Sequence, residues 1–167
     1  MNWLFVGDDV HILLEKKAKG FVVIGLGTKG NEADVIQVQK TGAGGSSIEV
    51  KDCTFITRAP PVCTEASQDW TIVHQESTAD GFKVELKRKA VSTDTTSDKT
   101  YVKGASNAMI WSMGTQNNVV KHEGPEGTTY GRFTLVMDEN HSSNSSSFIN
   151  TLGCVLSSLL ITATIGF

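Results

Sequence analysis

Asp80-Gly81-Phe82-Lys83-Val84-Glu85-Leu86-Lys87 decides the fold class. Phe82, Val84 and Leu86 alternate with Lys83, Glu85 and Lys87. That period of two marks a half-buried antiparallel strand, because successive side chains of a strand point to opposite faces. Just upstream, Trp70 and Ile72 alternate with Thr71 and Val73, and Asp80-Gly81 between the two runs is the dipeptide of a tight hairpin turn with positive φ angles. The alternation continues outward. Ile36 and Val38 alternate with Gln37 and Gln39, Ile48 and Val50 with Glu49 and Lys51, and a Gly-rich turn at 41–47 joins them. Phe133, Leu135 and Met137 mark a last strand, while Val10–Leu14, Phe21–Leu26 and Ala108–Met113 are continuously apolar, as fully buried strands are. No stretch of the domain keeps a 3.6-residue apolar period over three turns. The reading is all-β: an antiparallel, immunoglobulin-like sandwich of eight or nine strands.

At 167 residues, 39% hydrophobic, the chain suffices for one domain with a real core. A net charge of −3 supplies no cationic field for nucleic acid, which argues against a nucleic-acid partner. Every Lys, Arg, Asp and Glu lies at or before Glu139. Residues 1–139 therefore read as the domain, 140–147 as a polar Ser/Asn-rich stalk and 148–167 as an apolar C-terminal tail. Small residues, a short polar spacer and an uncharged end with nothing basic after it match a glycolipid-anchor signal, with attachment near Ser143 or Asn144. The alternative is a retained membrane segment. Asn140 and Asn144 each open a glycosylation sequon, which fits an extracellular stalk. Met1–Val6 is too short for a signal peptide and meets Gly7-Asp8-Asp9 at once. Together with the tail, this leads us to expect a signal peptide, and the first strand of the domain, upstream of Met1. Cys53 and Cys63, ten residues apart, fit a disulfide in an oxidising compartment or two free thiols.

Few motifs carry chemistry. Gly25-Leu26-Gly27-Thr28-Lys29-Gly30 has the spacing of a dinucleotide-binding loop, but the alternating run Val35–Gln39 follows where a helix would have to begin. The glycines are better read as serving turns and close backbone approach. Asp94 and Asp98 flank Thr95-Thr96-Ser97 in what reads as a solvated turn. No nucleophile elbow, CxxC or HExxH is present, so catalysis by the chain itself is not expected. His122 stands in a Gly/Pro-bearing loop just past the strand Ala108–Met113, where a neutral ring nitrogen beside an apolar wall can ligate haem iron; spacing alone favours an ordinary exposed loop histidine, since nothing in it fixes a partner ligand.

The order of these pieces resembles the DOMON domain: Gly20-Phe21-Val22-Val23-Ile24-Gly25-Leu26-Gly27, Ala33-Asp34-Val35-Ile36, Gln68-Asp69-Trp70-Thr71, Asp80-Gly81-Phe82 with Leu86-Lys87-Arg88, the turn at 93–98, Ile110-Trp111-Ser112-Met113-Gly114, then His122 with Gly124. The resemblance implies an extracellular β-sandwich. Some members bind a b-type haem through a Met and a His and carry electrons; others carry no established haem, and sugar binding has been suggested. His122 matches the position of the axial His. Where haem-binding members place the Met, this chain has Thr28-Lys29-Gly30-Asn31-Glu32. Met109 and Met113 are the remaining sulfur candidates for a second ligand.

The sequence thus leads us to expect an extracellular, membrane-tethered binding module for a carbohydrate or small apolar ligand. The alternatives are a surface electron carrier holding haem b on His122 and docking a redox partner, and a ligand-free structural surface or matrix protein.

Overall fold

The computed structural model describes residues 1–28, 32–42, 45–55, 60–64, 68–115 and 130–136. These form nine strands: β1 (Asn2–Val6), β2 (Asp9–Lys16), β3 (Phe21–Leu26), β4 (Ala33–Thr41), β5 (Ser47–Phe55), β6 (Thr71–Ser77), β7 (Phe82–Lys89), β8 (Ser106–Gly114) and β9 (Tyr130–Val136). They make two antiparallel sheets, in the orders β1-β2-β7-β6 and β5-β4-β3-β8-β9. Strand for strand, this is the arrangement of a nine-stranded immunoglobulin-type sandwich, with β4–β5 as the hairpin that widens the second sheet. Among the described residues no helix is long and apolar enough to cross a membrane.

Alternation sets the faces. Val10, Ile12 and Leu14 of β2 and Phe82, Val84 and Leu86 of β7 point inward from the four-stranded sheet. Ile24 and Leu26 of β3, Ile36 and Val38 of β4 and Met109 of β8 meet them from the five-stranded sheet. Ile12, Ile24, Ile36 and Leu86 are at most 1% exposed, and each such side chain stabilises the fold by about 1.5–3 kcal/mol through area removed from water. Polar side chains close the ends. Lys40, at the end of β4, donates its Nζ to the carbonyl of Thr78, and Ser77 Oγ donates to the carbonyl of Gly45, tying the β4–β5 turn to the β6–β7 turn. Asn107 Nδ2 donates to the carbonyls of Val102 and Ala105 and pins the β7–β8 loop.

Two turn expectations change. Ser77 pairs with Phe82, so Thr78–Gly81 is a four-residue loop closed by Thr78 N–H on the Gly81 carbonyl. Gly81 does not have positive φ, so the two-residue turn expected of Asp80-Gly81 is not formed. Glycine is needed there for room: a Cβ at Gly81 would lie 2.0 Å from the Lys16 carbonyl oxygen. The glycines of Gly25-Leu26-Gly27 also serve close approach, as expected. Gly25 lies inside β3 between Val35 and Ile110, and a Cβ on it would lie 1.9 Å from the Asp34 carbonyl oxygen. The obstacle is backbone and cannot rotate away. Gly25→Ala is therefore expected to destabilise the domain by about 1–3 kcal/mol or more, as overpacking does; equal unfolding midpoints in urea for variant and wild type would refute this.

Candidate functional site

Two regions stand out from ordinary packing. The first is charged and lies inside the sandwich. Alternation continues past Leu86, so Arg88 of β7 points inward like Phe82, Val84 and Leu86, and Asp34 of β4 points inward like Ile36 and Val38. Arg88 Nη2 donates to Asp34 Oδ2 at 2.7 Å and to the Lys99 carbonyl at 2.6 Å, and Nη1 lies 3.6 Å from Asp98 Oδ1. The side chains of Arg88, Asp34 and Asp98 are 0%, 2% and 1% exposed, so this is an interior ion cluster. The guanidinium also lies over the rings of Trp70 and Tyr101, each centroid 5.1 Å away. Trp3 also packs on Tyr101, tilted by 40° at a centroid distance of 5.8 Å.

The Gln68-Asp69-Trp70 stretch seats this aromatic cover. Gln68 exchanges hydrogen bonds with the backbone of Asp52 on β5, the Asp69 N–H donates to Asp52 Oδ2, and Ser92 Oγ donates to Asp69 Oδ2. Burial works most strongly against the charge of Arg88, but Asp34, Tyr101 and Asp98 together outweigh it and hold the guanidinium above its usual proton affinity. Burial pushes the Asp98 carboxyl up to about 6; Asp69 and Asp34 add to the shift, while Ser92 and Arg88 oppose it.

A raised carboxyl pKa means that the folded state binds the proton more tightly than the unfolded chain, whose carboxyl titrates near 4. The resulting stability is present in full below about pH 4 and is lost as pH rises through about 6. In chelator-containing buffer the domain should accordingly melt at a higher temperature at pH 5 than at pH 7.5, and Asp98→Asn should flatten that difference. Identical pH dependence in wild type and variant would refute the assignment. The sequence reading placed Asp98 in a solvated turn. Only Asp94 behaves that way, accepting from the Thr96 and Ser97 N–H groups at 2.9 and 3.3 Å.

The second region is the outer face of the five-stranded sheet. Phe21, Val23, Ala33, Val35 and Cys53 form a second buried apolar cluster there, with Phe55, Cys63 and Ile110 packed against it. At its centre Gly25 faces Val35 on one side and Ile110 on the other. In the next row Gly27 lies against Ala33 and donates its N–H to the Ala108 carbonyl. The middle of the face therefore carries glycine and alanine, walled by Phe21, Val23, Val35 and Ile110. The disulfide Cys53–Cys63, S–S 2.03 Å, fixes the 60–64 segment beside it, which settles the cysteine alternatives in favour of pairing.

Met109 is 1% exposed and points into the core between the sheets, away from this outer face; Met113 shares its parity on β8 and is half-buried. His122 and the tail residues Asn140, Ser143 and Asn144 lie outside the described residues. Of the other histidines, His11 takes Glu85 as partner at 3.1 Å on the outer face of the four-stranded sheet, and His74 is exposed on β6. The Arg88 cluster was missed in the sequence, although a charged residue at inward parity in an alternating strand is the signal that could have found it.

The model of the DOMON domain family matches residues 1–114. Among solved structures, the fold is similar to the cytochrome domain of Myriococcum thermophilum cellobiose dehydrogenase, at 12% identity and a TM-score of 0.58, over 84% of this chain and 74% of that one. It is similar also to the cytochrome b domain of pyranose dehydrogenase from Coprinopsis cinerea, at 12% identity and a TM-score of 0.60, over 77% and 67%. A search of the curated proteins finds no match.

Proposed function

The chain belongs to the DOMON domain family, and on that premise we propose that it is an extracellular redox carrier that holds haem b against the outer face of its five-stranded sheet and passes single electrons to a partner. The observation that carries this reading is the floor of that face: Gly25, Gly27, Ala33 and Ala108 between Phe21, Val23, Val35 and Ile110. An apolar cluster with glycine and alanine at its middle suits one face of a porphyrin. The likeness in fold to two cytochrome domains supports the redox reading over the carbohydrate reading, and the disulfide suits an oxidising compartment.

His122 would supply the axial nitrogen. Met109, turned into the core, does not fit a ligand on the opposite face. The group would contribute one-electron redox chemistry; the chain contributes a dry apolar wall, which excludes water and favours the less charged oxidation state. Catalysis is left to the partner. Tethering by a lipid at Ser143 or Asn144 would keep the carrier at the cell surface, and glycans at Asn140 and Asn144 would shield the stalk.

The test is to titrate the full chain with haemin and follow the Soret band, then poise the product electrochemically. One haem per chain and a one-electron Nernst curve are expected. A folded protein that takes up no haem under these conditions would refute the reading.

A further inference from the structure

Four of the large apolar side chains exposed among the described residues stand at one end of the sandwich: Val6, Val91, Val102 and Val136, exposed by 41%, 66%, 49% and 59%. Scattered singly they would need no explanation, but apolar side chains gathered at one place mark a contact. Hydrogen bonds bring the segments that carry them together. The Ala90 N–H donates to the Asp8 carbonyl and the Tyr101 N–H to the Ala90 carbonyl, each at 2.9 Å. The Val102 N–H donates to Asn107 Oδ1, and Asn107 Nδ2 reaches the Leu135 carbonyl at 3.5 Å. Val6, Val91, Val102 and Val136 are each within two residues of a group in this series. Ala90 and Tyr101 are buried, whereas their neighbours Val91 and Val102 are turned out to solvent.

The path of the chain is a second, independent observation. Val136 closes β9 opposite Ser106, the first residue of β8, so β9 ends at this same end of the sandwich. Beyond Glu139 the sequence carries no charge, and residues 148–167 are mostly apolar. Ser143 is seven residues past Val136, a stretch that spans at most about 25 Å. A tether at Ser143 or Asn144 therefore holds this end toward the membrane, and the Thr78–Gly81 loop lies the length of β7, about 25 Å, farther off. The surroundings of the valines suit a lipid surface. Lys103 follows Val102 in a turn that Gly104 closes at φ 73°, and Lys99 is exposed in the same loop. Asp8 is exposed among them, while Asp9 is paired with Lys89 at 2.7 Å. Lysine lets its stem lie along an apolar surface while the ammonium stays at the level of the phosphates.

We propose that this end of the sandwich is a membrane-contact surface, on which Val6, Val91, Val102 and Val136 seat in the headgroup region of the phospholipid bilayer that tethers the chain. The inference rests on the tether reading and is independent of haem. A few valines bind a bilayer weakly by themselves, but the tether makes their contact intramolecular, so weak attraction suffices. The strands run from this end to the other, so the contact stands them toward the membrane normal. The outer face of the five-stranded sheet then remains open to a partner from the side.

The experiment reconstitutes the full chain through its apolar tail into phosphatidylcholine vesicles whose acyl chains carry bromine, a contact quencher of tryptophan emission. Val102→Trp and Ala79→Trp place a reporter at either end, Ala79 being exposed in the Thr78–Gly81 loop, and the emission of wild type, with Trp3, Trp70 and Trp111, is subtracted. The reporter in Val102→Trp is expected to shift to the blue and lose most of its emission, while that in Ala79→Trp keeps the emission it has in unbrominated vesicles. Adding Val91→Asp and Val136→Asp to Val102→Trp should restore the emission, because two carboxylates at the contact resist leaving water. Should Val102→Trp fail to fold, Val91→Trp takes its place. Equal quenching of both reporters in vesicle-bound chains overturns the proposal and leaves the tether standing. Quenching of neither overturns it too and assigns the valines to a protein partner. A chain that does not stay with the vesicles refutes the tether, and this contact with it.

Discussion

Arg88→Met is expected to destabilise the domain by about 3–5 kcal/mol, the cost of removing one partner from a buried ion pair. The substitution keeps the length and apolar stem of the side chain, so little volume is lost. What it removes is the positive charge between Asp34 and Asp98, both nearly inaccessible to water. It also removes the hydrogen bond to the Lys99 carbonyl and the cation lying over Trp70 and Tyr101. The stranded carboxylates must then take up protons or draw water into the core. Urea unfolding measures the effect as a lower midpoint at unchanged slope. Adding Asp34→Asn to Arg88→Met should recover part of the loss, because the uncompensated charge is the source of most of it. A midpoint within about 1 kcal/mol of wild type for Arg88→Met would show that the cluster is hydrated and its charges largely screened.

Met109→Ala is the second large effect, and it separates packing from ligation. Met109 belongs to the core between the sheets, opposite Leu26 on β3 and Phe133 on β9, so truncation leaves a cavity and should cost about 2–5 kcal/mol. Met109→Leu, nearly isosteric, should cost less than about 1.5 kcal/mol. Neither change should alter the visible spectrum of a haem held on the outer face, provided the protein remains folded. Loss of that spectrum in folded Met109→Leu would place the sulfur on the iron and contradict the inward orientation of the side chain.

Much of the sandwich was legible in the sequence because burial on one face of a strand writes itself as alternation. Phe82-Lys83-Val84-Glu85-Leu86 located β7, and the unbroken apolar run Phe21–Leu26 located β3, the central strand of the five-stranded sheet, with apolar clusters on both of its faces. The family resemblance was legible for the same reason: its motifs sit on strands and on the loops those strands fix in place. The turn at Thr78–Gly81 was misread because Asp-Gly suits a two-residue turn, whereas register here is set by the pairing of Ser77 with Phe82, and Gly81 answers to the neighbouring Lys16 carbonyl.

The ion cluster was hidden by distance along the chain. Asp34 and Arg88 are 54 residues apart, and Asp98 comes from a loop whose composition reads as solvated. Nothing local marks these residues as partners. Their parity does mark them as inward, since Asp34 shares a face with Ile36 and Arg88 with Leu86. A charge at such a position needs a partner, and that requirement was the signal available from sequence. The outer-face floor was half legible: Gly25 and Gly27 announced close backbone approach, but only the pairing of β3 with β4 and β8 brings Ala33 and Ala108 beside them.

The most direct measurement is the visible spectrum of the haemin-loaded full chain, oxidised and reduced, for wild type and His122→Ala side by side. A Soret band with sharp reduced α and β bands in the wild type, lost in a His122→Ala protein with unchanged melting temperature of the unloaded form, is the predicted result. The same bands in both proteins would remove His122 from the iron and contradict the electron-carrier assignment as stated.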